Sequence, residues 1–312
     1  MTMGKVAFIF PGQGSQFPGM GKELAERFPE ARAVFDRADA ALFEPLSTLC
    51  FEGPEEKLRL TANTQPAILT VSVATFEVLR VRGARFDGVA GHSLGEYTAI
   101  GAAGGVSVEE LVRSVRRRAQ LMQEAVPVGI GAMSAVLGSG REAVEACCRE
   151  ASVRGEVVVP ANFNAPEQTV IAGHVAAVTR AGQLLVARGA KRVVALPVSA
   201  PFHSPLMLPV RSGLAPVVAA LGLRDLTVPL YNNVDARPVT AVGAIKDGLI
   251  RQVDSPVRWV ELIERMVADG FDTFVEVGPG SVLSGLVRRI VHSAATIQVG
   301  TAEQVETFLA RG

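Results

Sequence analysis

The sequence predicts an α/β fold: a large domain built from both ends of the chain around a largely parallel sheet, with a small α+β domain inserted between. Three observations carry this. Short apolar runs alternate with longer helical patterns at both ends, the order that makes a parallel sheet covered on both faces. Glycine-rich turns stand where those runs pass into helices. The middle of the chain instead reads β-α-β-β-α-β, the order of a ferredoxin-like unit.

The first strand, 5–10, stops at Pro11 and enters Pro11-Gly12-Gln13-Gly14-Ser15-Gln16. Helical patterning covers 22–43 and then about 65–80. A short strand at 88–90 enters Gly91-His92-Ser93-Leu94-Gly95, and small-residue helical sequence follows to 105. The next helix starts near Ser107, where Ser107 and Glu110 form an S-x-x-E capping box, and runs to about 125. In the middle, strands at 130–137, 156–162, 169–172 and 192–198 surround helices at 142–150 and 175–188. A strand near 228–232, a helix at 257–269 and a strand at 273–277 follow. Gly278-Pro279-Gly280 then leads into a helix reaching 290. The large domain is therefore placed at 1–127 and 199–312, and the small domain at 128–198. A cleft between two such domains is the default place for a site.

Composition narrows the function. The 312 residues suit two domains, and 48% hydrophobic against 20% charged residues excludes a disordered chain. Lys plus Arg and Asp plus Glu number 31 each. That balance argues against a nucleic-acid binder and against a polybasic membrane binder. No apolar run approaches the roughly 18 residues of a membrane span. The N-terminal run, 6–10, is too short for a secretory signal core. Cys50, Cys147 and Cys148 show no C-x-x-C spacing, so a reduced, cytoplasmic protein without a structural metal is expected. A monomer is the default expectation.

Gly91-His92-Ser93-Leu94-Gly95 is a G-x-S-x-G elbow in its required context, after an apolar run and before a helical pattern. The turn lifts the Ser93 hydroxyl to a helix N-terminus, where free N–H groups favour negative charge. The Leu94 N–H is the natural oxyanion donor. Against this stands a glycine-rich turn with an incidental serine.

A nucleophilic serine needs a base. The histidines are His92, His174, His203 and His292. His92 adjoins the serine on a tight turn, where neighbours point apart. His174 reads as a cap or surface residue. His203 sits in Ser199-Ala200-Pro201-Phe202-His203-Ser204-Pro205, a proline-stiffened loop at the domain junction, and ranks first. His292, near the C-terminus, ranks second and keeps a serine esterase open.

Arg118 falls in the apolar stripe of Leu111, Val115 and Met122, at steps of four, three and four. Arg113, Arg116 and Arg117 fall outside it and read as a solvated face. A core-facing guanidinium needs an anion. Its planar fork suits a carboxylate, either an internal one such as Glu96 or Glu276, or one on a substrate. Gly12-Gln13-Gly14 fails the dinucleotide pattern at Phe17, and no phosphate loop is present. The Gln13 N–H remains a candidate second oxyanion donor.

These pieces together resemble the malonyl-CoA:acyl carrier protein transacylases of fatty-acid biosynthesis, and the acyltransferase domains of polyketide synthases. The matching segments are Phe10-Pro11-Gly12-Gln13-Gly14-Ser15-Gln16, Gly91-His92-Ser93-Leu94-Gly95-Glu96-Tyr97, Arg118 with Gln123-Glu124-Ala125, Asn162-Phe163-Asn164, Pro201-Phe202-His203, Asn232-Asn233-Val234-Asp235 and Glu276-Val277-Gly278-Pro279-Gly280. They run in family order and span nearly the whole chain. The resemblance implies a hydrolase-like large domain with a ferredoxin-like insertion. It implies Ser93 as the acylated nucleophile, His203 as its base, and Gln13 and Leu94 as oxyanion donors. Arg118 would hold the malonate carboxylate, and the Gln252 main-chain carbonyl would orient the histidine. Asn162 and Asn164 match a family site motif. Phe202 resembles the bulky residue of malonyl-selective members. The implied partners are malonyl-CoA and acyl carrier protein, with no metal, ATP or redox cofactor. A trans-acting enzyme loading polyketide synthase carrier domains carries the same residues. Lys191, Arg192, Arg288 and Arg289 would present positive charge to an acidic carrier.

Overall fold

A computed structural model describes residues 4–198 and 200–310. Ser199, where the second segment of the large domain was placed to begin, lies outside them. In chain order the strands are β1 (Lys5–Phe10), β2 (Gly88–Gly91), β3 (Gly131–Leu137), β4 (Val158–Ala165), β5 (Gln168–His174), β6 (Arg192–Ala195), β7 (Leu230–Tyr231), β8 (Pro238–Val239), β9 (Phe271–Val277) and β10 (Ala295–Val299). The helices α1 (Lys22–Arg27), α2 (Pro29–Leu42), α3 (Leu46–Glu52), α4 (Glu55–Leu58), α5 (Thr61–Val81), α6 (Gly95–Ala102) and α7 (Val108–Glu124) precede β3. The helices α8 (Arg141–Ala151) and α9 (Val175–Ala187) lie in the middle. The helices α10 (Val210–Ala220), α11 (Val242–Gln252), α12 (Trp259–Ala268), α13 (Val282–Ile290) and α14 (Ala302–Leu309) complete the chain.

The larger sheet has the order β10-β9-β1-β2-β7-β8, and every neighbouring pair is parallel except β7–β8 at the edge. Side chains of β1 alternate between two apolar layers, as the two-residue period of a strand requires. Phe8 and Phe10 enter the layer that holds α2, α5 and α7, each with its ring 6.3 Å from that of Phe76. Ala7 and Ile9 enter the opposite layer, with Trp259 and Ile263 of α12 and Leu286 of α13. Truncating Phe8 to alanine would cost about 3–5 kcal/mol of stability. Helix α5 is buried on nearly every side and carries Pro66 in its interior. Proline has no N–H for the Ala62 carbonyl, and Arg116 Nη1 supplies the missing donor at 2.7 Å. Arg116 also bonds Asn63 and pairs with Glu44 at 2.8 Å, so it is buried and not part of a solvated face. Arg113 and Arg117 are exposed as expected.

The second sheet has the order β4-β5-β3-β6 with every pair antiparallel. Val136, Ile171 and Val158 pack under α8 and α9 against Val144, Cys147 and Val178. Met133, Ala135 and Val170 point the other way, toward the larger sheet. A register shift between Pro160 and Asn162 turns Asn162 onto the face of its partner Val170. Strand β4 is anchored to the segment before α12: Phe163 N–H donates to Val257 O, and Val257 N–H to Ala161 O, each at 2.9 Å. The three cysteines are buried and unpaired. Among the described residues no helix is long and apolar enough to cross a membrane.

Several elements differ from the sequence reading. The helix at 22–43 is two helices, broken where Phe28 turns extended (φ −126°) before Pro29. The helix read at 65–80 begins at Thr61. The strand read at 192–198 ends at Ala195, just before Pro197. The strand near 228–232 keeps two residues, next to Pro229. Helices α3, α4, α10, α11 and α14 and strands β8 and β10 carried no reading. They are short or, like α10 with Gly213 and Pro216, interrupted by breakers.

Candidate active site

The elbow is shaped by crowding. A Cβ on Gly91 would lie 1.9 Å from the Gly95 carbonyl carbon, and one on Gly95 would lie 2.1 Å from Phe10 O. A Cβ on Gly12 would lie 2.5 Å from His92 O, so the first glycine loop presses on the turn. Ser93 takes φ 52°, a left-handed conformation that costs a non-glycine residue about 1–2 kcal/mol. Asn233 holds it there. Ser93 N–H donates to Asn233 Oδ1 at 2.7 Å, and Asn233 Nδ2 donates to Gly91 O at 2.7 Å.

His203 arrives on the loop after Pro201, also left-handed at φ 58°. Its N–H donates to Val253 O at 3.1 Å. Its Nδ1 lies 2.8 Å from Gln252 O and 3.2 Å from Ser255 O. Carbonyls only accept, so Nδ1 carries the proton and Nε2 the lone pair. Nε2 stands 2.8 Å from Ser93 Oγ. Burial, reinforced by the Arg118 charge, pushes the imidazole down to about 3. It is neutral near pH 7, with its lone pair turned to the serine proton.

Arg118 is wholly buried among Leu111, Val115 and Met122 of α7. Its Nη1 donates to Gln65 Oε1 at 2.6 Å. Its Nη2 donates to Gln252 Oε1 at 2.9 Å and to Ser93 Oγ at 3.2 Å. Its carbon Cζ lies 5.5 Å from the Tyr97 ring centre. Among the described residues no carboxylate pairs with it. Glu96 is occupied by Asn233 N–H at 2.9 Å and Gln252 Nε2 at 3.0 Å. Glu276 accepts from Leu283 N–H at 2.9 Å and Ser284 N–H at 2.7 Å, closing the start of α13. Burial lowers the Arg118 pKa, yet a guanidinium holds its proton throughout the working range. The result is a buried cation held by neutral oxygens.

A cavity of about 460 Å³ opens over Ser93 and His203. Gln13, Leu94 and Phe202 line it from the larger sheet's side, and Asn162, Asn164, Met133 and Val170 from the smaller sheet's side. Arg118 and Gln252 stand behind the serine, and neither forms part of the cavity wall. A separate hollow of about 580 Å³ beside α8 touches His203 but not Ser93, so it lacks the nucleophile. The backbone N–H groups of Gln13 and Leu94 donate to no acceptor among the described residues. Both residues line the cavity, and both N–H groups remain without an acceptor there.

The other histidines go elsewhere. His92 Nε2 lies 2.8 Å from Asn164 Oδ1, and its ring sits 5.5 Å from Trp259. His174 Nδ1 accepts from Val157 N–H at 3.0 Å. His292 is exposed after α13 and makes no hydrogen bond to Ser93. Gln65, Asn233 and the Gln252 side chain carried no role in the sequence reading. Gln65 gave no distinct signal, being one of several polar residues in a helix that also carries Asn63, Thr70, Glu77 and Arg80.

The acyl transferase domain family matches residues 7–306. The chain belongs to that family. A malonyl CoA-acyl carrier protein transacylase of Bacillus subtilis is 48% identical over 304 residues, 97% of this chain and 96% of that protein. The solved malonyl CoA-acyl carrier protein transacylase of Coxiella burnetii is 42% identical with a TM-score of 0.96, covering 99% of this chain and 98% of its own. A malonyl-transacylase solved with its type II PKS acyl-carrier protein is 41% identical with a TM-score of 0.96, covering 99% of this chain and 100% of its own. In this acyl transferase domain the serine and the neutral imidazole line one cavity, and the buried cation stands behind the serine, 3.2 Å from its oxygen.

Proposed function

We propose that the protein moves the malonyl group from malonyl-CoA to the phosphopantetheine thiol of an acyl carrier protein, through a malonyl ester on Ser93. The observation that carries this reading is a single serine oxygen, 2.8 Å from the His203 lone pair and 3.2 Å from an Arg118 cation without a carboxylate partner. His203 Nε2 takes the Ser93 proton, and Oγ attacks the thioester carbon. The N–H groups of Gln13 and Leu94 receive the oxyanion, each worth about 3 kcal/mol by analogy with measured oxyanion holes. The intermediate collapses, and CoA leaves as the thiol with the proton from His203. The carrier thiol then attacks the ester while His203 takes its proton, and Ser93 leaves with that proton restored. This is ping-pong chemistry on a Ser-His dyad. The Gln252 and Ser255 carbonyls stand where a triad would place a carboxylate. A thiolate is a good enough leaving group to need no more.

Arg118 selects the donor. A malonyl carboxylate pairs its charge, while an acetyl group leaves it unpaired, at a cost of about 3–5 kcal/mol for a buried ion. Phe202 forms a wall beside the base and crowds an α-methyl group. Asn162 and Asn164 face the same cavity from the smaller sheet, placed to meet the pantetheine arm. The same reading divides the chain into a hydrolase-like domain, 1–127 and 199–312, and a ferredoxin-like domain, 128–198, in a cytoplasmic enzyme of fatty-acid biosynthesis.

The test is to isolate the malonyl-enzyme free of CoA and add carrier protein bearing its thiol. Transfer of malonate from Ser93 to the carrier is expected. Absence of the ester, or an ester inert to the thiol, would contradict the reading. A relative solved with a polyketide carrier favours a second pathway for the same chemistry. A panel of fatty-acid and polyketide carriers separates the two by their kcat/KM values.

A further inference from the structure

Gln252 serves two neighbours at once. Its main-chain carbonyl accepts from His203 Nδ1 at 2.8 Å, and its side-chain carbonyl accepts from Arg118 Nη2 at 2.9 Å. An amide side chain has two ends of opposite hydrogen-bonding sense and can turn over. Its Nε2 donates to Glu96 Oε2 and to Ser93 O, each at 3.0 Å. Turned over, its oxygen would face a carboxylate and a carbonyl, both acceptors, and its NH2 would face a guanidinium, a donor. The Glu96 carboxylate therefore admits one orientation. The same Glu96 oxygen accepts from Asn233 N–H at 2.9 Å, and the Asn233 side chain holds the strained Ser93 backbone.

We propose that Glu96 is a positioning residue that locks the Gln252 amide, and so aligns the serine, its base and the carboxylate-binding cation as one unit. The proposal rests on the reading of Ser93, His203 and Arg118 given above. Glu96 is 1% exposed and lies one helical turn beyond the nucleophile. It reaches Arg118 through the Gln252 amide and not directly. That placement offsets the buried cation while the guanidinium itself bonds only neutral oxygens, those of Gln65, Gln252 and Ser93. A directly paired glutamate would compete with the malonyl carboxylate. Burial pushes the Glu96 carboxyl up to about 7, with the Asn233 N–H, the Gln252 amide and the Arg118 charge acting against that rise.

The experiment measures single-turnover acylation of Ser93 by malonyl-CoA and by acetyl-CoA in wild type, Glu96→Gln and Glu96→Asp. Aspartate keeps the charge but withdraws the oxygen from Gln252 by one methylene. It is expected to lower malonylation about tenfold more than acetylation, because the cation loses its alignment. Glutamine keeps an acceptor oxygen in place, and is expected to hold the malonyl-to-acetyl ratio within about threefold of wild type. A structural role alone lowers both donors by one factor. Equal losses in Glu96→Asp, no loss in it, or a Glu96→Gln ratio as low as that of Glu96→Asp would each overturn the proposal. A wild-type enzyme that forms no malonyl ester would instead overturn the functional reading beneath it.

Discussion

On the larger sheet's side of the cavity, Ser93, His203, Arg118, Gln252, Asn233 and Glu96 are tied together by hydrogen bonds of 2.7–3.2 Å. Opposite them the smaller sheet offers Met133, Ala135 and Val170, with Asn162, Asn164 and Gln168 between. There the polar contacts are few: Asn164 meets His92, and Gln168 accepts from Arg289 at 2.6 Å. The first is a hydrogen-bonded network, part of it behind the cavity, in which Arg118 Nη2 meets Gln252 and Ser93 and Gln252 Nε2 meets Glu96 and Ser93 O. The second is the face of an antiparallel sheet, whose side chains stand separately. The difference teaches where chemistry and shape reside. A network with left-handed φ at both Ser93 and His203 fixes the hydroxyl and the imidazole, whereas a sheet face can change size without disturbing them.

Substitutions on the network side should therefore cost most. Ser93→Ala is expected to remove the acyl ester and lower turnover by about 10⁴-fold or more, read by intact mass and by the rate of CoA release. Ser93→Gly should be equally inactive yet about 1 kcal/mol more stable toward denaturant, since glycine accepts φ 52° without strain. Loss of stability in that variant would contradict the strained elbow. His203→Gln is expected to slow acylation about 10³-fold. It also carries a pH signature. An unfolded imidazole gains its proton below the ordinary value of 6.5, while the folded one waits until about 3. The unfolded state thus binds more protons in that window, so the wild type loses stability as pH falls from 6.5 toward 3. Melting temperatures from pH 7 to 4 should fall less steeply in His203→Gln; parallel curves would refute the depressed pKa.

Smaller effects are expected outside the network, at Phe202 beside the base and at the opposite wall. Phe202→Ala should relax discrimination against methylmalonyl-CoA by about tenfold in kcat/KM, because one methyl group in an apolar pocket is worth about 1–3 kcal/mol. An unchanged ratio would remove Phe202 from selectivity. Met133→Ala should leave Ser93 malonylation within about threefold, while lowering stability by about 2–5 kcal/mol as a buried methionine is truncated. A large loss of acylation at Met133 would break the division between the two walls.

Much of the placement on the network side was legible in the sequence. The elbow shows itself through glycines that crowding demands, and Arg118 through its place in an apolar stripe. His203 was one of two candidates on the residues alone, and the family resemblance chose it. The links between these residues were not legible. Gln252 and Asn233 come from segments far in sequence from Ser93 and Glu96, and the hydrogen bonds between them exist only after the chain has folded. Arg116 was misread because the unpaired carbonyl it serves, on Ala62, depends on a proline four residues further on. In the fold, long amphipathic helices and glycine-flanked strands were readable by period. Strands of two residues and helices carrying Gly or Pro gave no period to read.

The central claim is that an unpaired buried cation behind Ser93 chooses the acyl donor. It is tested most directly by single-turnover acylation of Ser93 by malonyl-CoA and acetyl-CoA, in wild type and Arg118→Ala. The expected result is a fall of about 10²-fold or more for malonyl and less than about tenfold for acetyl. Equal losses for both donors, or an undiminished malonyl rate, would contradict the account.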